Sequence, residues 1–340
     1  MQKSFSTQPN LFASAHDLEH PILHSLDDTE ALLDWSKIED LLSPIYAATT
    51  GRPSYPLLTL YRSLLLGIWY KLSDVQLAQA LYRDLLFRKF CHLELGGDVP
   101  EASTLGRFRT RLMEQALWEP LLNEINRQLE AKHIIMTEGR INIIDATPIE
   151  ASQSGSGKGK HGQPTKDSRG RQKSTYGYSV HTGVDEDGFI HRQQVTAGNV
   201  HDSQALDDLL LGDETALYAD AAYSSQETRE TLTTLGIVDH VQRKGYRNKP
   251  LSTADWRRNK RIATTRSTGE RPFATYKWHY GLARTRFMGL AKNTTFYGLA
   301  AMAANIRKGA KFLAEYGLPE PYYAGSVCPK SRKVADQRLF

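Results

Sequence analysis

Apolar residues recur every three or four positions through the first third of the chain and give way to short β-branched runs near Arg140. Residues 57–72, LLTLYRSLLLGIWYKL, carry that helical period, and residues 72–90, LSDVQLAQALYRDLLFRKF, repeat it after a Ser73/Asp74 cap signal. Pro100-Glu101-Ala102-Ser103 interrupts the pattern, with Ser103 placed to cap a short helix, TLGRFRTRL. A longer helical segment, EQALWEPLLNEINRQLEAK, comes next. With no strand signal among them, residues 28–136 predict an all-helical N-terminal domain. The polar, aperiodic residues 1–27 predict a loosely ordered arm.

Beyond Arg140 the period changes. Ile141-Asn142-Ile143-Ile144-Asp145 reads as a buried strand ending in an acid. Residues 152–174 are rich in Gly, Ser and Lys and predict a flexible basic loop. Tyr178 to Val184 and Phe189 to Val195 flank an Asp-Gly pair, the signature of a hairpin. Helix (Ser203 to Leu211), strand (Ala216 to Asp220), helix and strand succeed one another, and helix is predicted again from about Arg271. Residues 137–316 therefore predict a mixed α/β domain, and 317–340 a polar tail.

Composition narrows the function. A chain of 340 residues has room for two domains, and 40% hydrophobic with 24% charged residues is ordinary for a soluble globular protein. Cys91 and Cys328 show neither metal spacing nor a disulfide framework, which suits a reducing cytoplasm. The N-terminus has no signal-peptide core, and the longest apolar run is broken by Arg62 and too short for a bilayer. The expectation is an intracellular protein without a membrane partner. The net charge of +5 favours a polyanion partner, and the bases concentrate at 158–173 and 243–292.

Two strands end in aspartate, at Asp145 and Asp220. Either acid alone is accounted for as the cap of the next helix or turn. Side by side at one sheet edge they repel unless a cation lies between them, and oxygen ligands suit Mg²⁺ or Mn²⁺. A third acid stands out by its isolation: between Asp255 and Glu315 the only carboxylate is Glu270, against thirteen Lys and Arg. On a helix Arg266, Glu270 and Lys277 share a face, although Pro272 forces that helix to start or kink nearby. Asp202 is the rival acid, read here as the cap of the helix after it, and His201 as a structural histidine. The loop cations Lys158, Lys160, Arg169, Arg171 and Lys173 are candidates for phosphate contact. Arg107, Arg109 and Arg111 would face DNA if LSDVQLAQAL and STLGRFRTRL formed a helix-turn-helix. Trp278 and Tyr280 are either core or stacking residues.

These residues carry a resemblance. Arg266, Glu270 and Lys277 are spaced as in the Tyr-Arg-Glu-Lys signature of DDE transposases, and the aspartates in IIDATPIEA and YADAAYSS look like that family's first two acids. YGYSVHTGVDEDG, VTAGNVHDSQAL and FMGLAKNTTFYGLAAMAANIRK fit in order, and the helical N-terminal region resembles the family's own. The likeness runs from about residue 28 to 315 and is nearest to the bacterial insertion-sequence-five group. Ala263 stands at the signature's tyrosine position and Ala222 where glycine is usual. The resemblance implies an RNase H-like (retroviral-integrase-like) catalytic domain in which Asp145, Asp220 and Glu270 hold two Mg²⁺ ions, with Mn²⁺ as a substitute. Arg266 and Lys277 would hold phosphate oxygens. The implied activity is cleavage at the terminal inverted repeats and joining of the 3′-OH ends to target DNA. The implied partners are both DNAs and a homodimer or higher oligomer on the nucleoid of a bacterial cytoplasm. A same-fold nuclease that does not join strands, and a non-catalytic DNA-binding regulator, are the alternatives.

Overall fold

The computed structural model describes residues 20–317, apart from 47–53, 138, 152–161, 167–171, 247 and 249. The helical half opens on a 3₁₀ turn, Pro21–His24, whose Leu23 is buried together with Leu26, so the described end of the expected arm is part of the core. Among the described residues seven α-helices come after it: α1 (Asp27–Leu32), α2 (Trp35–Leu42), α3 (Leu57–Trp69), α4 (Asp74–Arg83), α5 (Leu85–Phe90), α6 (Ala102–Glu114) and α7 (Trp118–Ala131). Ser73 and Gln76 form a capping box at the start of α4. The periodic stretch 72–90 makes two helices because Asp84 is extended (φ −98°, ψ 116°) and its carboxylate accepts the Phe87 N–H, ending α4 while capping α5. α3 is buried on nearly every side, Arg62 included. That guanidinium pairs with Glu30 at 2.7 Å and lies 4.3 Å from the Trp35 ring centroid.

Among the described residues the second half is built on six strands, β1 (Ile141–Glu150), β2 (Gly162–Lys166), β3 (Gln172–Val184), β4 (Ile190–Ala197), β5 (Ala216–Ala219) and β6 (Val238–Val241). In order across the sheet they run β4, β3, β1, β5, β6: the first three are antiparallel neighbours, and β5 and β6 are parallel to β1. The β3–β4 hairpin turns at Gly188, φ +80°, as the Asp-Gly pair predicts. β2 pairs with the start of β3, so the stretch expected as a loop over 152–174 is in part a β-ribbon. α8 (Leu206–Leu209), α9 (Gln226–Leu235) and α10 (Thr253–Arg266) connect and flank the parallel strands. Helix thus begins eighteen residues before Arg271, and α10 has no apolar period in the sequence because only Ile262 on it is buried. A 3₁₀ turn (Ser267–Glu270), the short α11 (Arg271–Ala274) and a π-helical turn (Thr275–His279) continue it. Pro272 costs no helical hydrogen bond there, because it lies at the start of α11, where N–H groups have no intrahelical partner.

The long α12 (Leu290–Tyr316) ties the halves together, packing on α1, α3, α6, α7 and β4. Gly298 is needed for that approach: a Cβ there would stand 2.7 Å from the Trp118 ring. One hydrophobic cluster therefore runs from Leu32 and Leu65 through Ala303 to Ile143 and Val180. Among the described residues no helix is long and apolar enough to cross a membrane.

Candidate active site

Asp145 lies in the middle of β1, not at its end as the sequence suggests, because β1 changes partners. Parallel pairing with β5 covers only Ile141 to Ile143, while antiparallel pairing with β3 continues to Glu150. β5 stops at Ala219, and Asp220 caps the 3₁₀ turn Ala221–Tyr223, its Oδ1 accepting the Ala222 N–H at 2.7 Å. Ile143 pairs with Tyr218, so the same register two residues on sets Asp145 beside Asp220. Two carboxylates meet where the parallel ladder has opened.

A guanidinium answers their charge. Arg266, the last residue of α10, donates from Nη2 to Asp145 Oδ1 at 3.1 Å and from Nη1 to Gln242 at 3.4 Å. Asp145 is buried, and its Oδ1 also accepts the Ala146 N–H at 3.0 Å. Burial outweighs these contacts and, with Asp220 adding to it, lifts the Asp145 carboxyl above the usual carboxylate range.

The turn that bears Glu270 rests on the same strand. A Cβ on the buried Gly269 would stand 3.0 Å from Ile143 Cγ2 and 3.5 Å from Asp145 Cβ, so glycine lets the 3₁₀ backbone approach β1. Glu270 itself is solvent-exposed and belongs to this turn, not to a regular helix shared with Arg266 and Lys277. Lys277 reaches back from the π-helical turn to donate to Thr147 Oγ1, on the face of β1 that carries Asp145, and burial draws its ammonium below the usual lysine range. Trp278 is 78% exposed and Tyr280 is in the core.

Behind Asp220 lies a neutral polar chain: Tyr223 Oη meets His181 Nδ1 at 2.9 Å, and His181 Nε2 meets Thr196 Oγ1 at 2.9 Å. Burial pulls the His181 imidazole down to about 4 and pushes the Tyr223 phenol well up. Asp202 stands by the Asp220 turn. Its Oδ1 is buried without a donor among the described residues, and burial followed by Asp220 raises its carboxyl. No sequence pattern marks Gly269, Thr147 or Tyr223, and the cap that the sequence predicts at Asp202 is supplied by His201.

The donors suit a hard divalent cation in kind: all are carboxylate oxygens, two of them adjacent, with an unmatched acid oxygen beside them. Convergence is less advanced, since among the described residues no three Asp, Glu, His or Cys side chains stand close enough to hold an ion, and the Arg266 guanidinium neutralises Asp145.

The helical half corrects the expectation for its arginines. Arg109 is buried: it makes a two-pronged bond to Asp74, at 2.6 and 3.0 Å, and stacks 5.0 Å from the Phe287 ring centroid, which withdraws it from any base edge. α4 and α6 do pack together, yet α5 and residues 91–101 separate them, so they are not joined by one turn. Arg107 and Arg111 are exposed and border an open groove of about 590 Å³ with Lys292. Lys173 is on β3, and Lys158, Lys160, Arg169 and Arg171 lie outside the described residues. α10 presents Arg257, Lys260 and Arg261 to solvent.

The family model of the Transposase DDE domain matches residues 136–306, half of the chain, and that of a Transposase domain (DUF772) matches residues 15–111. No solved structure matches the chain. The first match covers every residue of the Asp145 site, and the second covers the helices up to Arg111.

Proposed function

The chain belongs to the DDE transposase family, and we propose that it is the transposase of an insertion sequence of the insertion-sequence-five group. It binds the element's terminal inverted repeats, hydrolyses the phosphodiester at each end, and joins the freed 3′-OH to target DNA. The observation that carries this reading is the pair Asp145 and Asp220, set side by side where β5 ends and β1 runs on. The strand order, three antiparallel strands followed by two parallel to the first, supports an RNase H-like domain.

DDE transposases generally use divalent metal ions; here Asp145, Asp220 and Glu270 would hold two Mg²⁺ ions, with Mn²⁺ able to substitute. Bound there, the cations supply charge that activates an attacking oxygen and steadies the leaving one. The chain's own groups prepare that chemistry. Asp145 and Asp220 bring two negative charges into a buried edge and so favour cations over bulk water. Arg266, the partner of Asp145 in the DNA-free protein, is positioned to pass to a phosphate oxygen when Asp145 acquires a stronger partner. Lys277, partly buried beside Thr147, offers a second cation to the same strand of DNA. The exposed bases of α10, together with Lys158, Lys160, Arg169, Arg171 and Lys173, track the duplex backbone, and Arg107 and Arg111 contact the ends from the helical half. The working form is a homodimer or higher oligomer on DNA, in the bacterial nucleoid.

The test is cleavage of DNA carrying the element's ends, and transfer of pre-cut ends to a plasmid. Both reactions are expected to need Mg²⁺ or Mn²⁺ and to stop in EDTA. Cleavage without transfer would make the protein a nuclease. Metal-independent cleavage would refute the carboxylate site.

A further inference from the structure

An open groove of about 590 Å³ runs between α6 and the beginning of α12, and three features of its lining have no use within the fold. The first is Gly106, in the middle of α6. Glycine weakens a helix interior relative to alanine, and a close neighbour is the usual reason to keep one, as Trp118 is at Gly298. Gly106 has no such neighbour: beyond its own helix, a Cβ there would meet nothing within 4 Å. The second is Thr295. It is 2% exposed and lines the groove, yet its hydroxyl has no hydrogen-bond partner among the described residues, where buried polar groups are nearly always paired. The third is charge. Among the described residues Lys292 on α12 forms no ion pair, and Arg107 on α6 meets only the Ser103 and Thr104 hydroxyls of its own helix, at 3.5 and 3.4 Å. Both cations are exposed, and Glu114 is the one acid in the lining.

One kind of occupant answers all three. It is anionic, it offers acceptor oxygens to a hydroxyl, and it comes close to the backbone of α6. The sugar–phosphate backbone of DNA has that chemistry, because its phosphate oxygens accept from ammonium, guanidinium and hydroxyl groups alike. Resting on the reading of the chain as a transposase, we propose that this groove seats the phosphate backbone of one DNA strand. Lys292 and Arg107 hold its oxygens, the Thr295 hydroxyl donates to it, and Gly106 leaves it room against α6. The seat is shared by the helical half, through α6, and by α12, which ties that half to the sheet. Held by its phosphates and not by its bases, the strand is gripped whatever its sequence.

The experiment measures binding of the full-length protein to two labelled duplexes, one carrying the element's end and one of scrambled sequence. Anisotropy is read at several salt concentrations, and melting temperature checks folding. Lys292→Gln is expected to weaken both complexes by about tenfold at roughly 0.1 M salt and to flatten the log–log salt dependence by about one unit. Thr295→Val is expected to weaken both without changing that slope, since no charge is lost. Gly106→Gln, which fills the groove with a better helix former, is expected to melt no lower than wild type and to weaken both complexes by more than Lys292→Gln does. Should it melt lower, Lys292→Gln and Thr295→Val decide. Lys311→Gln, far along α12 and outside the groove, is expected to match wild type. A loss at Lys311→Gln equal to that at Lys292→Gln would reduce the effect to net charge and overturn the seat. Wild-type affinity in a folded Gly106→Gln protein also overturns it; if that variant instead loses self-association by light scattering, a second copy of this chain takes the groove. A loss confined to the end-bearing duplex overturns backbone seating in favour of base reading. Wild type that binds neither duplex overturns the transposase reading beneath it.

Discussion

Arg109→Ala is expected to cost the protein stability, not a base contact. Its guanidinium makes two bonds to the Asp74 carboxylate, 2.6 and 3.0 Å, and lies 5.0 Å from the Phe287 ring centroid at the contact between the helical half and the segment leading into α12. A hydrogen bond between charged groups contributes about 1.5–3 kcal/mol, and removing one member of a buried pair leaves the other's desolvation uncompensated. Two features reduce the loss: the Asp74 side chain is 27% exposed, and Arg286 stays 3.5 Å from its Oδ1. The net cost is then about 2–3 kcal/mol, below the roughly 3–5 kcal/mol of a fully buried pair. With an unfolding entropy of about 2.1 cal/mol/K per residue, a chain of 340 residues shifts by about 1.4 °C per kcal/mol, so the melting temperature should fall by about 3–4 °C. Calorimetry on Arg109→Ala and Arg107→Ala, alongside anisotropy binding to cognate and scrambled duplexes at several salt concentrations, separates the two roles. Exposed Arg107→Ala should melt within about 1 °C of wild type, as surface changes do, while weakening DNA binding. Asp74→Asn should reproduce most of the Arg109 loss. An Arg109→Ala protein that melts with wild type but no longer prefers cognate ends would refute the buried-pair reasoning.

Other perturbations probe the site. Asp145→Asn, Asp220→Asn and Glu270→Gln keep side-chain shape and should each abolish cleavage and joining while sparing end binding, as read by gel shift; an active Glu270→Gln would exclude Glu270 as the third acid. Replacing Lys158, Lys160, Arg169, Arg171 and Lys173 together should weaken binding to all sequences and flatten the log–log salt dependence by about one unit per lost phosphate contact; an unchanged slope would remove them from the interface. His181 tests the polar chain by pH. Its imidazole is held near 4, against 6.5 when exposed, so below pH 6.5 the unfolded chain takes up a proton that the folded one refuses. Stability should therefore fall as pH drops from 6.5 to 4, by about 3 kcal/mol at the lower end. The raised carboxyls of Asp145 and Asp202 act in the opposite sense, stabilising the fold as they protonate on acidification. The measurement is thus the difference between wild type and His181→Gln in urea titrations, and parallel curves would show that the imidazole is not held neutral.

Much of this protein is legible in one dimension. The helical period of α3 and α4, the cap at Ser73, the β3–β4 hairpin around Asp187-Gly188 and the short apolar strand before Asp220 are local consequences of residue order, since propensity, capping and turn chemistry act over a few residues. The isolation of Glu270 among bases is likewise a property of the chain, as is the order of the three acids. Tertiary structure decided which of these residues are available. Asp145 became a mid-strand residue because β3 continues beside β1 after β5 has stopped, and partner lengths are not written in either strand. Arg109 turned inward because Asp74 and Phe287, far from it in sequence, arrive on the same side of α6. α10 is almost wholly polar and showed no period, since it covers the sheet with one buried side chain. Asp202 lost its role as a cap to the adjacent His201, and its Oδ1 is left without a donor among the described residues. Periodicity states which residues share a face. The surroundings of that face are set by contacts between residues distant in the chain, and it is those contacts that make one arginine a strut and one glycine a necessity.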